Sequence, residues 1–387
     1  MRPRWLFLSL LLFTGSAAHA ASWGTGALMM VVEREKGAVM VIDAAQNHKV
    51  LGEVGGLGIL HHASAVFSRD GRYAYMVSRD GLLSKIDLLG PSLAAQVKVG
   101  DSSIGLAVTT DGKNVAVSNY KPGSIVIVDD ASFKVVKTIE ADASRTVGLV
   151  DAPGNLLIVA LMDANEIWTI DAGNPDFPVV KKYADVGVKP YDGMITSDGR
   201  YYLAGFFHSE WVSIIDLWDR DTVVKLPLPK PGFRMEEAPP VLKLPHLRGW
   251  TMSGGHLFTP IVGFSGLAVI GTREWKVEKT IDLAAYPVFT VLRPDGRQMW
   301  VNYAMGEKHD TMQVIDLKTL SVVKTLKPGA KVYHMQFTPK GNEIYASSNG
   351  DDKVVIYNAE TFEVIKTIPV PGPSGIFCSN RSSLFGM

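Results

Sequence analysis

The sequence predicts an all-β fold, an eight-bladed β-propeller with four-stranded blades. Three observations predict it. A unit of short β-branched runs recurs along the chain, Asp-Gly turns sit at a fixed place in each unit, and the two chain ends carry incomplete units that complete one another.

The unit is clearest from Ala63, where ASAVFS, RDGR, YAYMVSR, DG, LLSKIDL and AAQVKV follow in order. Apolar residues within each run alternate with a period of two, which excludes a helical solenoid. The inner turn recurs at Asp70-Gly71, Asp111-Gly112, Pro153-Gly154, Asp198-Gly199, Gly254-Gly255, Asp295-Gly296 and Lys340-Gly341. A β-branched residue followed by Asp ends the third strand at Ile42-Asp43, Ile86-Asp87, Val128-Asp129, Ile170-Asp171, Ile215-Asp216 and Ile315-Asp316. The fourth strand reads KVVKTI from Lys134, SVVKTL from Ser321 and EVIKTI from Glu363. The period is roughly 40 to 47 residues, within the range of propeller blades.

First strands fall near Ala63, Ile104, Val147, Gly193, Gly249, Phe289, His334 and Ile376, and the last of these has no strands after it. Ahead of the first complete unit stand GALMMVVERE, AVMVIDA and KVLGEV, three strands without an inner one. The N- and C-terminal strands are therefore expected to share the closing blade, which removes two exposed sheet edges. Seven blades is the alternative, should the unit containing Trp250 be irregular.

The start, MRPRWLFLSLLLFTGSAAHAAS, has basic Arg2 and Arg4, an apolar core and the small-x-small triplet Ala18-His19-Ala20. It reads as a signal peptide over residues 1–20, cleaved to leave a single propeller over 21–387 in the periplasm, with an uncleaved signal-anchor as the alternative. Cys378 is the only cysteine, so no disulfide forms within the chain, and no Cys-x-x-Cys-His is present to carry a covalent c-type haem. Cys378 lies in the apolar run GIFCSN and reads as a small core residue. With 39 basic and 39 acidic residues and no basic run, nucleic-acid binding is excluded. Phosphate loops, zinc-spaced Cys/His sets and nucleophile elbows are absent from the sequence.

Chain direction sorts the polar residues. In a four-stranded blade the loops leading into first strands and those joining second to third strands share one face, and the inner turns lie on the other. The first kind carries His61 and His62, Arg145, Tyr191 and Asp192, His246 and Arg248, and Tyr333 and His334. The second kind carries Asp80, Tyr120 and Lys121, Asp163, and His208 and Glu210. All histidines except His19 and His48 fall near this face, with His256 marginal. Imidazole can ligate iron, Arg can clamp a carboxylate, and aromatic rings can flank a plane, so this face suits a planar acidic ligand. A single His at such a junction is more often a hydrogen-bonded structural residue, Arg145 can bridge blades, and Asp192 can cap a turn. The Pro-rich stretch 226–245 reads equally as a lid over this face and as a surface insertion.

His62-Ala63-Ser64, followed by DGRYAYMVSRDG and Ile86-Asp87-Leu88, resembles the haem d1 propeller domain of dissimilatory nitrite reductase. The stretch Pro245-His246-Leu247-Arg248-Gly249 is similar to that family's His-Pro-Gly-Arg-Gly. In Lys189-Pro190-Tyr191-Asp192-Gly193 a Tyr stands where the reductase has a distal His, which removes one of the two imidazoles that nitrite reduction uses in that family. The chain also lacks the covalent c-haem of the reductase and of its dehydrogenase relative NirN. This combination resembles the branch of the family that serves haem d1 biosynthesis. The resemblance implies binding of haem d1 or its dihydro precursor, with His62 as the proximal iron ligand. It implies that Arg145, Lys121 and Arg248 hold carboxylates, with Tyr120 and Asp192 beside the ligand. Asp151, Tyr191 and His246 would handle protons, as the catalytic set. Nitrite reductase and NirN are the implied protein partners, and a homodimer is left open. Three readings compete: a late-step tetrapyrrole-modifying enzyme, a haem d1 binding or delivery protein, and a generic propeller scaffold without haem.

Overall fold

The computed structural model describes residues 26–228, 250–261, 265–379 and 381. Eight four-stranded antiparallel sheets stand in a ring. Their inner strands are Ser64–Phe67, Ser102–Val108, Thr146–Ala152, Pro190–Ile195, Thr251–Ser253, Phe289–Leu292, Val332–Phe337 and Pro373–Cys378. We number blades 1 to 8 in that order. The eight-blade expectation holds, and the unit containing Trp250 forms blade 5 with all four strands. The signal segment 1–20 lies outside the described residues.

Blade 8 is made from both ends of the chain. Its inner strand, Pro373–Cys378, pairs with Leu28–Glu33, with Met29 opposite Cys378, Met30 opposite Phe377 and Val31 opposite Ile376. Ala38–Asp43 and Lys49–Val54 complete the sheet outward. All six residues of Leu28–Glu33 are buried, so the contact that closes the ring is also core. Cys378 is half-buried and packs beside that core.

The repeated turn chemistry has a direct structural cause. Each inner-turn Asp folds its carboxylate back over the turn. Asp70 accepts from the Ser68 hydroxyl at 2.6 Å and the Arg72 amide at 3.0 Å, and Asp111 accepts from Thr109 and Lys113 in the same way. The Asp that ends each third strand caps the next hairpin. Asp87 accepts from the Leu89 amide, Asp216 from Trp218 and Asp316 from Thr319, while Arg72 and Arg200 pin Asp87 and Asp216 from the side.

One wedge per hairpin joins many of the blades. Phe133, Phe177, Trp275, Leu320 and Phe362 occupy the same place in the turn before the fourth strand, all with left-handed backbone. That conformation points the side chain onto the preceding blade: Phe362 lies 5.9 Å from Trp300, and Trp275 lies 5.0 Å from Tyr201. In blade 8 the wedge is His48. It is buried, and its Nδ1 lies 2.7 Å from the Tyr345 hydroxyl. The outermost strands are the free edges, and Lys134 and Lys137 show how they are guarded, with lysines flanking exposed Val135 and Val136.

Two outcomes follow from this packing. Trp300 is fully buried among Phe337, Tyr357 and Phe362, so Trp300→Ala is expected to cost about 3–5 kcal/mol in denaturant unfolding. Glu33 is fully buried, and neither carboxylate oxygen has a hydrogen-bond partner; burial and the nearby Glu53 carboxylate push its acid constant up. A folded-state value above the unfolded one means that stability is lost as pH rises through the folded value. Glu33→Gln should therefore raise the melting temperature at pH 8, and the gain should vanish toward pH 4.

Candidate functional site

The loops leading into inner strands do share an opening with the second-to-third loops, because they bond to one another around the ring. The Ile59 amide donates to Asp80 at 2.9 Å, and the Arg79 amide donates to the Ile59 carbonyl at 2.7 Å. Arg145 meets Asp163, Tyr120 meets Tyr191, and His61 lies 3.4 Å from Glu35. We call this opening the mouth.

Its best-ordered part spans blades 1 to 4. Tyr191 is buried against Val147, Ala160 and Met162, with Ile104, Tyr120 and Phe207 half-buried beside it. Phe207 stands edge-on to its ring at 4.6 Å. The Tyr120 hydroxyl donates to the Tyr191 hydroxyl at 3.2 Å. Burial holds the Tyr191 phenol well above its ordinary ionisation range, so at neutral pH it is a neutral hydrogen-bonding group and not a base. Asp192 points to the other side of the strand. It lies over Gly148 of blade 3, where a Cβ would stand 2.7 Å from the Asp192 Oδ1, so glycine is what permits the approach.

Arg145 is not an open clamp. Its Nε donates to Asp163 Oδ2 at 2.8 Å and its Nη2 to Oδ1 at 2.5 Å, and its own amide adds a third bond. That fork holds the Asp163 carboxyl below the ordinary range and keeps it ionised. Two cations that sequence reasoning missed are better placed. The Arg79 guanidinium lies 4.4 Å from the centre of the Tyr120 ring and makes no ion pair with a described residue. Arg34 covers the Tyr333 ring at 5.6 Å, and among the described residues its Nε meets only the exposed Glu35 carboxylate, at 3.6 Å, without a hydrogen bond. The signal was in the repeat. Arg34, Arg79, Tyr120, Met162 and Phe207 stand at the end of the second strand or just past it, at corresponding places in successive blades.

The other expected residues divide. His62 is exposed in the turn just before the blade 1 inner strand, at the mouth. Lys121 is exposed there too, and its ammonium pairs with no described residue. His246, Arg248 and most of the 226–245 stretch lie outside the described residues. Asp151 is not brought to this group. It sits near the far end of the strand Thr146–Ala152, roughly 20 Å from Arg145 by strand rise, and is paired with Arg69 at 2.8 Å. His256 is likewise at the far opening, bonded to Glu278 at 3.0 Å. His334 is buried between Phe289 and Phe377 and accepts the Ile376 amide at Nδ1, a structural arrangement. Among the described residues no group of three or more His, Cys, Asp or Glu is arranged to hold a bare metal ion.

The ring, the histidine at its mouth and the aromatic-lined cationic flank are those of a haem-type propeller. Residues 23–382 match the cytochrome D1 haem domain family, and the chain belongs to it. Within that family it is 40% identical to protein NirF of Pseudomonas aeruginosa over 387 residues, which covers 98% of each chain. It is 39% identical to NirF of Stutzerimonas stutzeri over the full length of both. Among solved structures, dihydro-haem d1 dehydrogenase NirN in complex with DHE superimposes with a TM-score of 0.80 at 28% identity, over 93% of this chain and 76% of that one. The expected resemblance is thereby borne out, and these relatives give the chain a role connected with haem d1 biosynthesis.

Two measurements check the site. Tyr191→Phe removes the phenol pair but keeps the packing, and should cost about 0.5–1.5 kcal/mol in urea unfolding. Because Arg145 lowers the folded-state value of Asp163, that contribution is present above the unfolded value of about 3.9 and is lost as pH falls through the folded one. Asp163→Asn should therefore flatten the acid limb of a stability–pH curve below about pH 4.

Proposed function

We propose that the protein binds haem d1 or its dihydro precursor at the mouth, in the periplasm, as a component of haem d1 biosynthesis needed to supply nitrite reductase in denitrification. The observation that carries this reading is the joint presence at one opening of an exposed imidazole, His62, a guanidinium on an aromatic face with no ion pair among the described residues, Arg79, and a buried neutral phenol, Tyr191. The residues fit the group. The Arg79 guanidinium, without an ion pair among the described residues, suits a peripheral carboxylate; Lys121 adds a second cation, and Arg34, whose Nε lies 3.6 Å from Glu35, a third. Tyr120, Phe207 and Tyr191 offer an aromatic wall against which a macrocycle can pack. The ligand itself supplies iron and a conjugated ring; His62 would hold the iron from the protein side. The export segment 1–20 accounts for the location, and the named relative NirN suggests a partner of the same cofactor chemistry.

Between holding the ligand and modifying it, the described residues favour holding. Asp163 is kept ionised by Arg145, and Tyr191 is kept neutral by burial, so neither is tuned for proton transfer near pH 7. Catalysis would rest on His62 or on His246.

The test is a titration of purified protein with haem d1, read in the Soret region. Wild type should give a saturable spectral change. His62→Ala should shift the band of the complex, and Arg79→Ala should weaken binding by about ten- to a hundredfold. If His62→Ala and wild type give identical spectra, the iron assignment is wrong; an absent response in wild type sinks the ligand. His246→Ala should keep both affinity and haem d1 production if the protein only binds, and should lose production alone if it is an enzyme.

A further inference from the structure

At the far opening, a residue of the preceding blade stands over the turn glycine of the next blade at several junctions. A Cβ on Gly71 would meet Arg381, on Gly112 Arg69, on Gly199 Pro153 and on Gly341 Pro294, all between 2.6 and 3.0 Å. Between blades 4 and 5 no such filler stands among the described residues, as is also the case at Gly154 between blades 2 and 3. Ser197 stands in the filling place, and the opposing turn is Ser253-Gly254-Gly255-His256, where a Cβ on either glycine would meet nothing within 4 Å. A cleft of about 220 Å³ results.

Its walls have a definite chemistry. Tyr201 and Trp275 form an aromatic corner, edge to face at 5.0 Å. The wedge Trp275 is only half-buried, whereas Phe133 and Phe177 in the same place are 8% and 5% exposed. Asp198 contributes a carboxylate, which the Arg200 amide holds at 3.0 Å, and His256 leads to the Glu278 carboxylate. Hydroxyls come from Ser197, Ser253 and Thr272, and among the described residues no lysine or arginine lines the cleft. The same aromatic surface already takes a cation from within the chain. The Arg200 guanidinium lies 4.9 Å from Tyr201 on one side and 4.9 Å from Trp218 on the other.

We propose that the cleft between blades 4 and 5 is a second binding site, separate from the mouth, for a small free organic cation of the quaternary ammonium or guanidinium class. The faces of Trp275 and Tyr201 attract the positive head, Asp198 and Glu278 supply opposite charge, and the hydroxyls bind its polar substituents. The volume admits one small molecule, and the carboxylates repel anions.

Calorimetric titration of the intact protein with choline, arginine and glucose tests this. Choline or arginine should bind saturably, and glucose should give no heat of binding. Ser197→Pro installs the neutral filler that Pro294 provides in blade 6; it should weaken cation binding about tenfold or more and leave the melting temperature and the haem d1 titration unchanged. Should that variant fail to fold, Ser197→Arg supplies the filler used by Arg69, with the same expectation. The proposal is overturned if neither cation saturates, if glucose binds as well as they do, or if the filled variant binds with unchanged affinity.

Discussion

The pairing of Pro373–Cys378 with Leu28–Glu33 is the constraint on which the rest depends. Seven blades are local in the chain, each a meander of successive hairpins. The eighth joins residues more than 300 positions apart. Without that seam, the inner strand of blade 8 and the sheet outside it would both present unpaired backbone. Because the blades pack chiefly on their neighbours, an open seam would also loosen blades 1 and 7, the two that flank it. The wedges act in the same sense, since each belongs to one blade and packs on another.

The mouth inherits its geometry from the ring. Tyr120 and Tyr191 come from blades 2 and 4, with blade 3 between them, yet their hydroxyls meet. Arg79 of blade 1 covers a ring carried by blade 2. No single blade contains the site, so its precision is set by how blades pack. Gly148 shows how fine that packing is: one extra carbon there would collide with Asp192 and push blade 4 away from blade 3.

Much of the fold was legible because its signals are backbone signals. Asp-Gly at the inner turns, Asp after the third strand and the orphaned strands at the two ends each report a local hydrogen-bonding need, and such needs repeat with the fold. The face that gathers the loops was legible from chain direction alone. Side-chain pairing was less so. Arg145 reads as a ligand clamp until Asp163, eighteen residues later, is seen to occupy it. Arg79 reads as part of an Arg-Asp turn, and only the stacking on Tyr120 separates it from its neighbour Asp80. Arg145 just precedes the strand that carries Asp151 near its other end; a motif read as linear text hides that a strand of seven residues spans the whole depth of the ring.

The fork between Arg145 and Asp163 makes part of the mouth an exchange point and not a vacancy. An incoming anion can take the Nε/Nη2 edge of that guanidinium only by displacing a carboxylate that is covalently tethered nearby and always present at high local concentration. A chloride or acetate ion cannot repay that displacement, whereas a large rigid guest anchored elsewhere on the rim can. Selectivity against small solutes is thus written into an internal contact, before any guest arrives.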